Sequence, residues 1–328
     1  MKEKKISIII PVYNGEMWLG RCLDSLMRQT IFPDMEIIIV DDGSQDGSWE
    51  QIAQYAQHSS QIVALRVPNG GVSKARNTGM EQARGEFVGF VDADDWVAPD
   101  FYERLYRAAT AEHADIVSMG FVVVEADARH GMDCPTAAEY SVLGPKDALC
   151  RYLDGGMDIH VCTKIFRRTE SAAFRFDDTL AIAEDRMFVF RQIIQAERVV
   201  LLPQCGYYYF QNENSAVHQA FSAKEFGDTE VSRRILDTIR DRFPELYPQA
   251  QCMDISAKCR ILGKLAASGQ TNAYRDQYQQ LKRAINAYPL RSAWKLMGRK
   301  HFLVLVLTKF SPRIAGMARK NPWLRYRK

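Results

Sequence analysis

The sequence predicts an α/β fold in which a doubly wound, mostly parallel sheet precedes a helical C-terminal region. Apolar, β-prone segments alternate with helical segments over the first 125 residues, and the pattern after residue 222 is helical to the end. With 328 residues, 47% of them hydrophobic, the chain can fill a substantial core. We therefore expect two regions, residues 1–221 and residues 222–328.

The first two elements show the signals behind this alternation. Lys5–Val12 is rich in isoleucine and indicates a buried strand, whereas apolar residues in Glu16–Gln29 recur near helical spacing. Asp46 is a plausible N-cap for the second helix. The later predicted elements are the strands Met35–Val40, Gln61–Val67, Glu86–Val91 and Asp115–Val124, and the helices Asp46–Gln57, Val72–Arg84 and one with Pro99 in its first turn that ends at Glu112.

The signals beyond residue 125 are shorter. Residues 126–144 indicate a loop and a hairpin. The elements predicted after them are the strand Ile159–Arg168, the helix Glu184–Gln195, and two short strands, Arg198–Leu202 and Gly206–Phe210.

Four successive predicted strands end in polar or turn-forming residues. These strand ends are Pro11-Val12-Tyr13-Asn14, Asp41-Asp42-Gly43-Ser44, Pro68-Asn69-Gly70-Gly71 and Asp92-Ala93-Asp94-Asp95. In a parallel sheet they would converge on one crevice. Three carboxylates this close repel one another unless a cation lies among them, and oxygen ligands suit Mg²⁺ or Mn²⁺. The sequence therefore predicts a metal site that holds a phosphorylated ligand.

Two of these motifs allow two interpretations each. Asp42 could accept a hydrogen bond from a base such as uracil, or its motif could form an ordinary tight turn. Lys74 and Arg76, at the start of a helix that follows a glycine turn, could bind a diphosphate, or the segment could be an ordinary helix start. A Gly-x-Gly-x-x-Gly turn after the first strand is absent, which argues against a dinucleotide oxidoreductase.

Later acids and histidines are also ambiguous. Glu184 and Asp185 could be stabilised by the dipole of the helix that they begin, or one of them could act as a general base. His218 could reach a phosphate or a metal, or be structural. No function is predicted for the other histidines, which are His58, His113, His130, His160 and His301.

The last forty residues are strongly basic. Residues 289–328 contain 11 of the 43 Lys and Arg residues and none of the 40 Asp and Glu residues, together with aromatic and aliphatic side chains. This composition favours a helix on an anionic membrane surface; the alternatives are a helix that packs on the preceding domain and, less favoured, a nucleic-acid arm. No signal peptide and no apolar run of about 20 residues is seen, so we expect a cytoplasmic protein at the inner face of the membrane.

Together, the strand-end motifs, Arg76-Asn77-Thr78-Gly79, the segment Cys162–Arg167 and Glu184-Asp185 resemble the inverting family 2 glycosyltransferases, whose fold is called GT-A. The motifs stand in the family's order and cover about residues 5–218. The resemblance implies a GT-A catalytic domain over residues 1–221, with a nucleotide-binding half and an acceptor-side half. It also implies a metal-dependent transfer of a hexose or N-acetylhexosamine from a UDP-sugar to a glycan or lipid-linked acceptor in cell-surface polysaccharide synthesis.

The resemblance also implies roles for individual residues. Asp94 would bind Mn²⁺ or Mg²⁺, and Asp185 would deprotonate the acceptor, with Glu184 as the second candidate. His218, from the sequence alone, is the further candidate metal ligand. The residues expected to bind the nucleotide-sugar are Pro11, Val12, Tyr13, Asp42, Asn69, Lys74, Arg76, Asp92, Ala93 and Asp95.

Two other functional classes remain open from the sequence. One is a non-catalytic GT-A module that binds a glycan or acts as a scaffold at the membrane. The other is a nucleotidyltransferase, which would need a glycine-rich basic loop where Pro11-Val12-Tyr13-Asn14 stands. The C-terminal helices could also pair two chains, so a homodimer is possible, whereas no nucleic-acid partner is expected.

Overall fold

The computed structural model describes residues 4–125, 132–134, 136–211 and 221–318, which divide into two compact units. The first unit contains Met1–Leu149, Met157–Leu180 and Glu184–Asn212. The second contains Cys150–Gly156, Ala181–Ala183 and Glu213–Lys328. A functional boundary at residue 222 stays a prediction.

The first unit is built on one ten-stranded sheet. Eight of its strands follow the order β3-β2-β1-β4-β9-β6-β10-β5; the other two are β7, which pairs with β6, and β8, which pairs with β10. The strands are β1 (Ile6–Val12), β2 (Met35–Asp41), β3 (Ile62–Arg66), β4 (Phe87–Phe90), β5 (Trp96–Val97), β6 (Ile116–Glu125), β7 (Met132–Cys134), β8 (Ser141–Leu143), β9 (Lys164–Arg167) and β10 (Val199–Gln211).

Parallel pairing joins β3, β2, β1 and β4, and it also joins β6 to β10. The short strand β9 runs antiparallel between β4 and β6, while β5, β7 and β8 add antiparallel to their neighbours. The carboxyl ends of the four N-terminal parallel strands therefore lie along one edge, where ligands of such sheets bind.

Helices accompany the strands of this sheet. They are α1 (Glu16–Met27), α2 (Ser48–His58), α3 (Val72–Gln82), α4 (Phe101–Ala111), α5 (Pro145–Leu153) and α6 (Glu184–Ile193). The predicted N-cap Asp46 lies two residues before α2, yet its carboxylate accepts the Ser48 N–H at 3.1 Å and so still satisfies one of the helix's first N–H groups.

Isoleucine-rich strands fill the centre of the core. All seven residues of β2 are buried and β1 is nearly so, as expected for parallel strands that are covered on both faces. A second part of the core is aromatic: Phe188 on α6 stacks on Phe176 with ring centroids 4.2 Å apart, and both rings meet Phe90 of β4 edge-on. This aromatic cluster anchors α6 to the sheet.

A buried polar network fixes the other edge of the sheet. Glu36 on β2 accepts the Ser7 hydroxyl at 2.6 Å and the Arg84 Nε at 3.0 Å, while the Ser7 oxygen accepts the Gly85 N–H at 2.8 Å. The network ties the end of α3 to β1 and β2, and it satisfies a carboxylate that is 1% exposed.

The structure corrects several predicted elements. Arg198–Leu202 and Gly206–Phe210 form a single strand, β10, because it stays paired with β6 through register shifts between Leu201 and Tyr207. Only Lys164–Arg167 of the predicted strand Ile159–Arg168 forms a strand, since Val161–Thr163 forms a 3₁₀ turn before it. Sequence patterns missed β5 and α5.

Residues 126–144 do not form a self-contained hairpin in the part that the structure describes. There β7 pairs with β6, and β8 pairs with β10, so each adds to a longer strand of the main sheet.

The second unit is helical, with α7 (Gly227–Arg242), α8 (Tyr247–Ala267), α9 (Arg275–Ala287), α10 (Leu290–Leu296), α11 (Arg299–Phe310) and α12 (Pro312–Ala318). Its core forms around α8, where Leu262 and Leu265 pack with Ile285 and Leu305. In the described ranges of the chain, no helix is both long and apolar enough to cross a membrane.

We predict that Gly79→Ala will lower the free energy of unfolding by about 1–2 kcal/mol, although alanine favours helix by about 1 kcal/mol. A Cβ atom at Gly79 would lie 2.5 Å from Ile9 Cγ2 in the core. Gly20→Ala on α1 is the matched control, because its Cβ would have Tyr55 Oη as its nearest neighbour at 3.8 Å, and it should gain stability. Urea unfolding measures the free energy of unfolding of both variants. An equal increase in the two would contradict the predicted clash at Gly79.

Candidate functional site

The loop after β1 is joined to the loop after β2 and presents an aromatic side chain. Asn14, with a positive φ of 51°, donates its N–H to Ser44 Oγ at 3.0 Å. Tyr13 is 52% exposed, whereas Val12 is buried and Pro11 half-buried. Among the predicted ligand residues of this loop, Tyr13 has the largest accessible surface, while Val12 can reach a ligand only through its backbone.

Asp42 connects the end of β2 to the loop before α3. Its two carboxylate oxygens accept the N–H groups of Gly70 and Gly71, each at 2.8 Å, and its backbone carbonyl accepts Asn69 Nδ2 at 3.0 Å. The loop needs glycine at position 71, where φ is +90°. Each carboxylate oxygen keeps a second lone pair, so the loop-holding role leaves Asp42 able to accept a further hydrogen bond.

Arg76 on α3 joins two groups of acids. Its guanidinium is 3% exposed, and it donates from Nη2 to Asp92 Oδ1 at 3.0 Å and from Nη1 to Glu184 Oε1 at 3.1 Å. Lys74, two residues earlier, is exposed, and its side chain lies over Gly70. The structure thus brings together predicted site residues from α3, from the turn after β4 and from the start of α6.

The acidic turn Asp92–Asp95 is held from two sides. On α1, Arg21 Nη2 donates to the Asp94 carbonyl at 2.7 Å. From β10, the Tyr207 hydroxyl donates to Asp95 Oδ2 at 2.5 Å and the Phe210 N–H donates to Asp95 Oδ1 at 2.8 Å. Asp95 is 1% exposed, so it holds the turn in place, whereas Asp92, Ala93 and Asp94 are partly accessible.

Arg21 is a residue of this site that the sequence did not reveal. Its guanidinium lies 3.8 Å from the ring centroid of Trp96 and 4.4 Å from that of Phe210, two residues far from it in the sequence. An arginine on the surface of an amphipathic helix normally indicates a solvated face, so only the folded arrangement shows that it supports the Asp94 carbonyl.

The charges of the site shift the pKa values of two buried groups, Asp95 and Arg76. Burial, together with the neighbouring Asp92 and Asp94 charges, raises the pKa of Asp95 well above its usual range, against the opposing hydrogen bonds from Tyr207 and Phe210. Burial alone would lower the pKa of Arg76, but the Asp92 and Asp185 carboxylates outweigh it and raise that pKa. Arg76 therefore stays charged and compensates Asp92.

Glu184 and Asp185 begin α6 as predicted. Glu184 is mostly buried; burial and the adjacent Asp185 raise its pKa to about 8, although Arg76 opposes them. Asp185 is half-buried next to it. Within the described ranges, no group of three or more His, Cys, Asp or Glu side chains converges to hold a metal, and the predicted ligand His218 lies outside those ranges.

Comparison with known proteins identifies the family. Residues 7–171 match the profile of glycosyl transferase family 2, which is half of the chain. The chain belongs to that family. It is 38% identical over 216 residues to the uncharacterized glycosyltransferase EpsJ of Bacillus subtilis, an alignment that covers 64% of this chain and 62% of EpsJ. The chain therefore spans less than two thirds of the length of this curated relative.

Two further relatives extend the comparison. The chain is 30% identical over 211 residues to the poly(ribitol-phosphate) beta-N-acetylglucosaminyltransferase TarS of Staphylococcus aureus, covering 62% of this chain and 35% of that protein. The crystal structure of S. aureus TarS residues 1–349 in complex with UDP-GlcNAc superposes with a TM-score of 0.66 at 23% identity, covering 98% of this chain and 91% of that one. The predicted α/β fold of the GT-A type with C-terminal helices is confirmed.

We predict that Glu184→Gln will change how stability depends on pH. The folded chain keeps a proton on Glu184 up to about pH 8, whereas the unfolded chain releases it near 4.5. The wild type should therefore lose, relative to Glu184→Gln, on the order of 1 kcal/mol of unfolding free energy per pH unit between these values as pH rises. Urea unfolding at several pH values measures the difference; a difference that is constant from pH 5 to pH 8 would contradict it.

Proposed function

We propose that this chain is an inverting glycosyltransferase that moves a hexose or N-acetylhexosamine from a UDP-sugar to an acceptor hydroxyl. The observation that carries the proposal is the buried guanidinium of Arg76, which bridges Asp92 in the acidic turn and Glu184 beside Asp185. A transferase needs one set of groups at the leaving nucleotide and a separate base at the acceptor, and Arg76 fixes the two sets in one arrangement.

The nucleotide is proposed to bind at the carboxyl ends of β1 to β4. Asp42 would accept a hydrogen bond from uracil with the lone pairs that Gly70 and Gly71 leave available, and the loop after β1 offers the exposed ring of Tyr13. The exposed Lys74 would contact the diphosphate. The remaining proposed contacts are Pro11, Val12, Asn69, Arg76, Asp92, Ala93 and Asp95, of which Val12, Arg76 and Asp95 act mainly by shaping the site.

The donor set of the acidic turn fits a divalent metal that shares its coordination with a diphosphate. Mg²⁺ at such sites takes one or two carboxylates, and phosphate and water complete its shell. Asp94, with the 40% exposed Asp92 beside it, would supply such a partial set of hard oxygens. When bound, Mn²⁺ or Mg²⁺ would neutralise the charge of the departing UDP. His218 stays a predicted ligand.

Asp185 is proposed to be the base. Its carboxylate would take the proton of the acceptor hydroxyl, whose oxygen attacks the anomeric carbon as the bond from that carbon to the UDP oxygen breaks. The bonding electrons leave with UDP, and attack from the opposite side inverts the anomeric centre. Glu184, which holds its own proton up to about pH 8, is the poorer base at neutral pH.

The relatives' names support a place in cell-surface polysaccharide synthesis. TarS is named a poly(ribitol-phosphate) beta-N-acetylglucosaminyltransferase, and the TarS structure contains UDP-GlcNAc. By analogy, we propose a UDP-sugar donor and a glycan, polyol-phosphate or lipid-linked acceptor for this chain.

We predict that Asp185→Asn will reduce kcat for transfer from a UDP-sugar by about 10²–10⁴-fold, with UDP binding unchanged, because it removes the proton acceptor alone. Asp94→Asn should instead abolish the stimulation of activity by Mn²⁺. Asp147→Asn, on the exposed surface of α5, is the matched control and should behave as wild type.

A panel of UDP-sugars with and without Mn²⁺ measures these effects, with calorimetry for UDP. Full turnover by Asp185→Asn would show that another group is the base. UDP-sugar binding without turnover by the wild type would favour the non-catalytic module.

The C-terminal helices are proposed to lie on an anionic membrane surface. Trp294, Phe310 and Ile314 are 66%, 84% and 57% exposed, and exposed Arg299 and Arg313 accompany them. One face of α11 packs into the core of the second unit, so its apolar run is only partly available. Exposed aromatic and basic side chains without acids suit the boundary of anionic lipid. We propose the inner face of the cytoplasmic membrane; pairing of two chains stays a prediction.

We predict that the protein will sediment with vesicles containing phosphatidylserine but not with pure phosphatidylcholine, and that high salt will release it. Arg313→Glu should weaken binding by at least about fivefold, because each basic residue contributes about 1 kcal/mol. Tyr140→Ser is the control, since this side chain is 47% exposed in the first unit. Equal binding to both lipids would contradict the electrostatic part of the proposal.

A further inference from the structure

A group of four polar residues lies just before β9. Asp158 Oδ1 accepts the Nδ1–H of His160 at 2.6 Å, and Asp158 Oδ2 accepts the Thr163 hydroxyl at 2.5 Å. Lys164 Nζ donates to the His160 carbonyl at 2.8 Å and to Thr163 Oγ1 at 2.9 Å. We call these four residues the Asp158 cluster. It holds the imidazole of His160 in one orientation.

The members of the cluster differ in exposure. The Lys164 side chain is 0% exposed and that of Asp158 is 8% exposed, whereas the imidazole of His160 is 52% exposed. Because the carboxylate of Asp158 takes the Nδ1 edge, the ring presents its Nε2 edge away from that carboxylate. The cluster is therefore a buried support for one accessible donor.

The imidazole carries a positive charge at neutral pH. Burial favours its neutral form, but the Asp158 carboxylate outweighs burial and raises the pKa of His160 to about 9, with a smaller contribution from Asp185. Half of the ring surface reaches solvent, so the 2.6 Å contact with Asp158 is the main cause of this shift.

The cluster adjoins the helix that carries the proposed base. Val161–Thr163, the 3₁₀ turn that follows His160, packs against α6, which begins with Glu184 and Asp185. The charge of Asp185 acts on both His160 and Lys164. On the sheet side, the His160 ring meets Phe121 of β6 edge-on at 5.5 Å. The imidazolium thus stands near the group that would act on the acceptor.

We propose that His160 is an acceptor-binding residue, whose Nε2–H binds an anionic group, a phosphate or a carboxylate, of the acceptor that Asp185 deprotonates. A charged donor held in one orientation gives a stronger hydrogen bond to an anion than to a neutral saccharide hydroxyl. The inference rests on the proposed glycosyl transfer and narrows its acceptor to an anionic class. Neither the position of His160 in the sequence nor any surrounding motif indicates this role.

The test is a titration that does not need turnover. Protein with ¹⁵N-labelled histidine, saturated with UDP, is titrated with glycerol phosphate, glucuronate or neutral glycerol while the imidazole nitrogen signals are recorded by NMR. We expect glycerol phosphate or glucuronate to shift the Nε2 signal that is missing in His160→Gln, and glycerol to leave it unchanged. The stronger of the two anions identifies the acceptor group as phosphate or carboxylate.

Three variants separate binding from folding. His160→Gln should lose the anion response and weaken anion affinity by about 10-fold or more, as expected for one hydrogen bond to a charged group. His160→Lys should recover part of the affinity, because it restores the charge. His58→Gln, which alters an exposed histidine of the first unit that contacts the Gln54 carbonyl, should retain the full response. UDP affinity should be the same in all three variants.

Two results would overturn the proposal: no shift of the His160 signal with either anion, or an equal shift with glycerol. If transfer from a UDP-sugar is observed while His160 does not respond, only the anionic acceptor is wrong. If His160 binds the anions but the protein uses no UDP-sugar, the proposed glycosyl transfer is wrong and the proposed anion-binding role of His160 is kept.

Discussion

The structure of the site depends on one buried cation. Arg76 lies in the interior with 3% of its side chain exposed; the charge of Asp92 compensates it on one side, and Glu184 accepts a hydrogen bond from it on the other. A buried charge costs several kcal/mol unless it is paired and hydrogen-bonded, so neither acid can move away without leaving the guanidinium short of a partner. The turn after β4 and the start of α6 are therefore held at a fixed separation, although 91 residues of sequence lie between Asp92 and Glu184.

Burial and pairing explain how five acids can coexist near one site. Asp95 is buried, with its pKa raised, and accepts hydrogen bonds from β10; Asp92 is compensated by Arg76. Glu184 keeps its proton to about pH 8. The repulsion that a run of carboxylates predicts is thus reduced by burial and pairing before any metal binds. Of the five acids, Asp94 and Asp185 are the two to which we assign the metal and the proton of the acceptor.

The sequence predicted those parts of the site whose residues belong to a regular local pattern. The strands β1 to β4 and their polar ends were predictable because each combines a buried apolar run with turn residues, and parallel topology brings such ends together. Roles that depend on distant partners were not predictable. The acid run looks like three equivalent ligands, and only β10, more than 100 residues later, shows that Asp95 is a structural member.

Short elements and the roles of isolated residues could not be predicted from the sequence, for related reasons. The strand β5 has two residues, too few for any period, and β10 appeared as two strands because an irregular stretch interrupts its pattern while β6 keeps it paired. His160 had no predicted role, since a single histidine is ordinary in a sequence. Its orientation comes from Asp158, and the environment of that carboxylate comes from a lysine that the fold buries completely.

The position of Asp185 follows from these contacts and not from the irregular chain that precedes it. On one side Glu184 is bound to Arg76; on another the turn Val161–Thr163 packs on α6; and along the helix Phe188 stacks on Phe176. Three anchors on different elements leave α6 little freedom to rotate or slide, because either movement would break the buried hydrogen bond to Arg76, the packing against the turn or the aromatic contact. A base that must meet an acceptor hydroxyl within hydrogen-bond distance requires such placement. The main effect of the buried contacts of this site is therefore to fix the position of Asp185, and their contribution to stability is secondary.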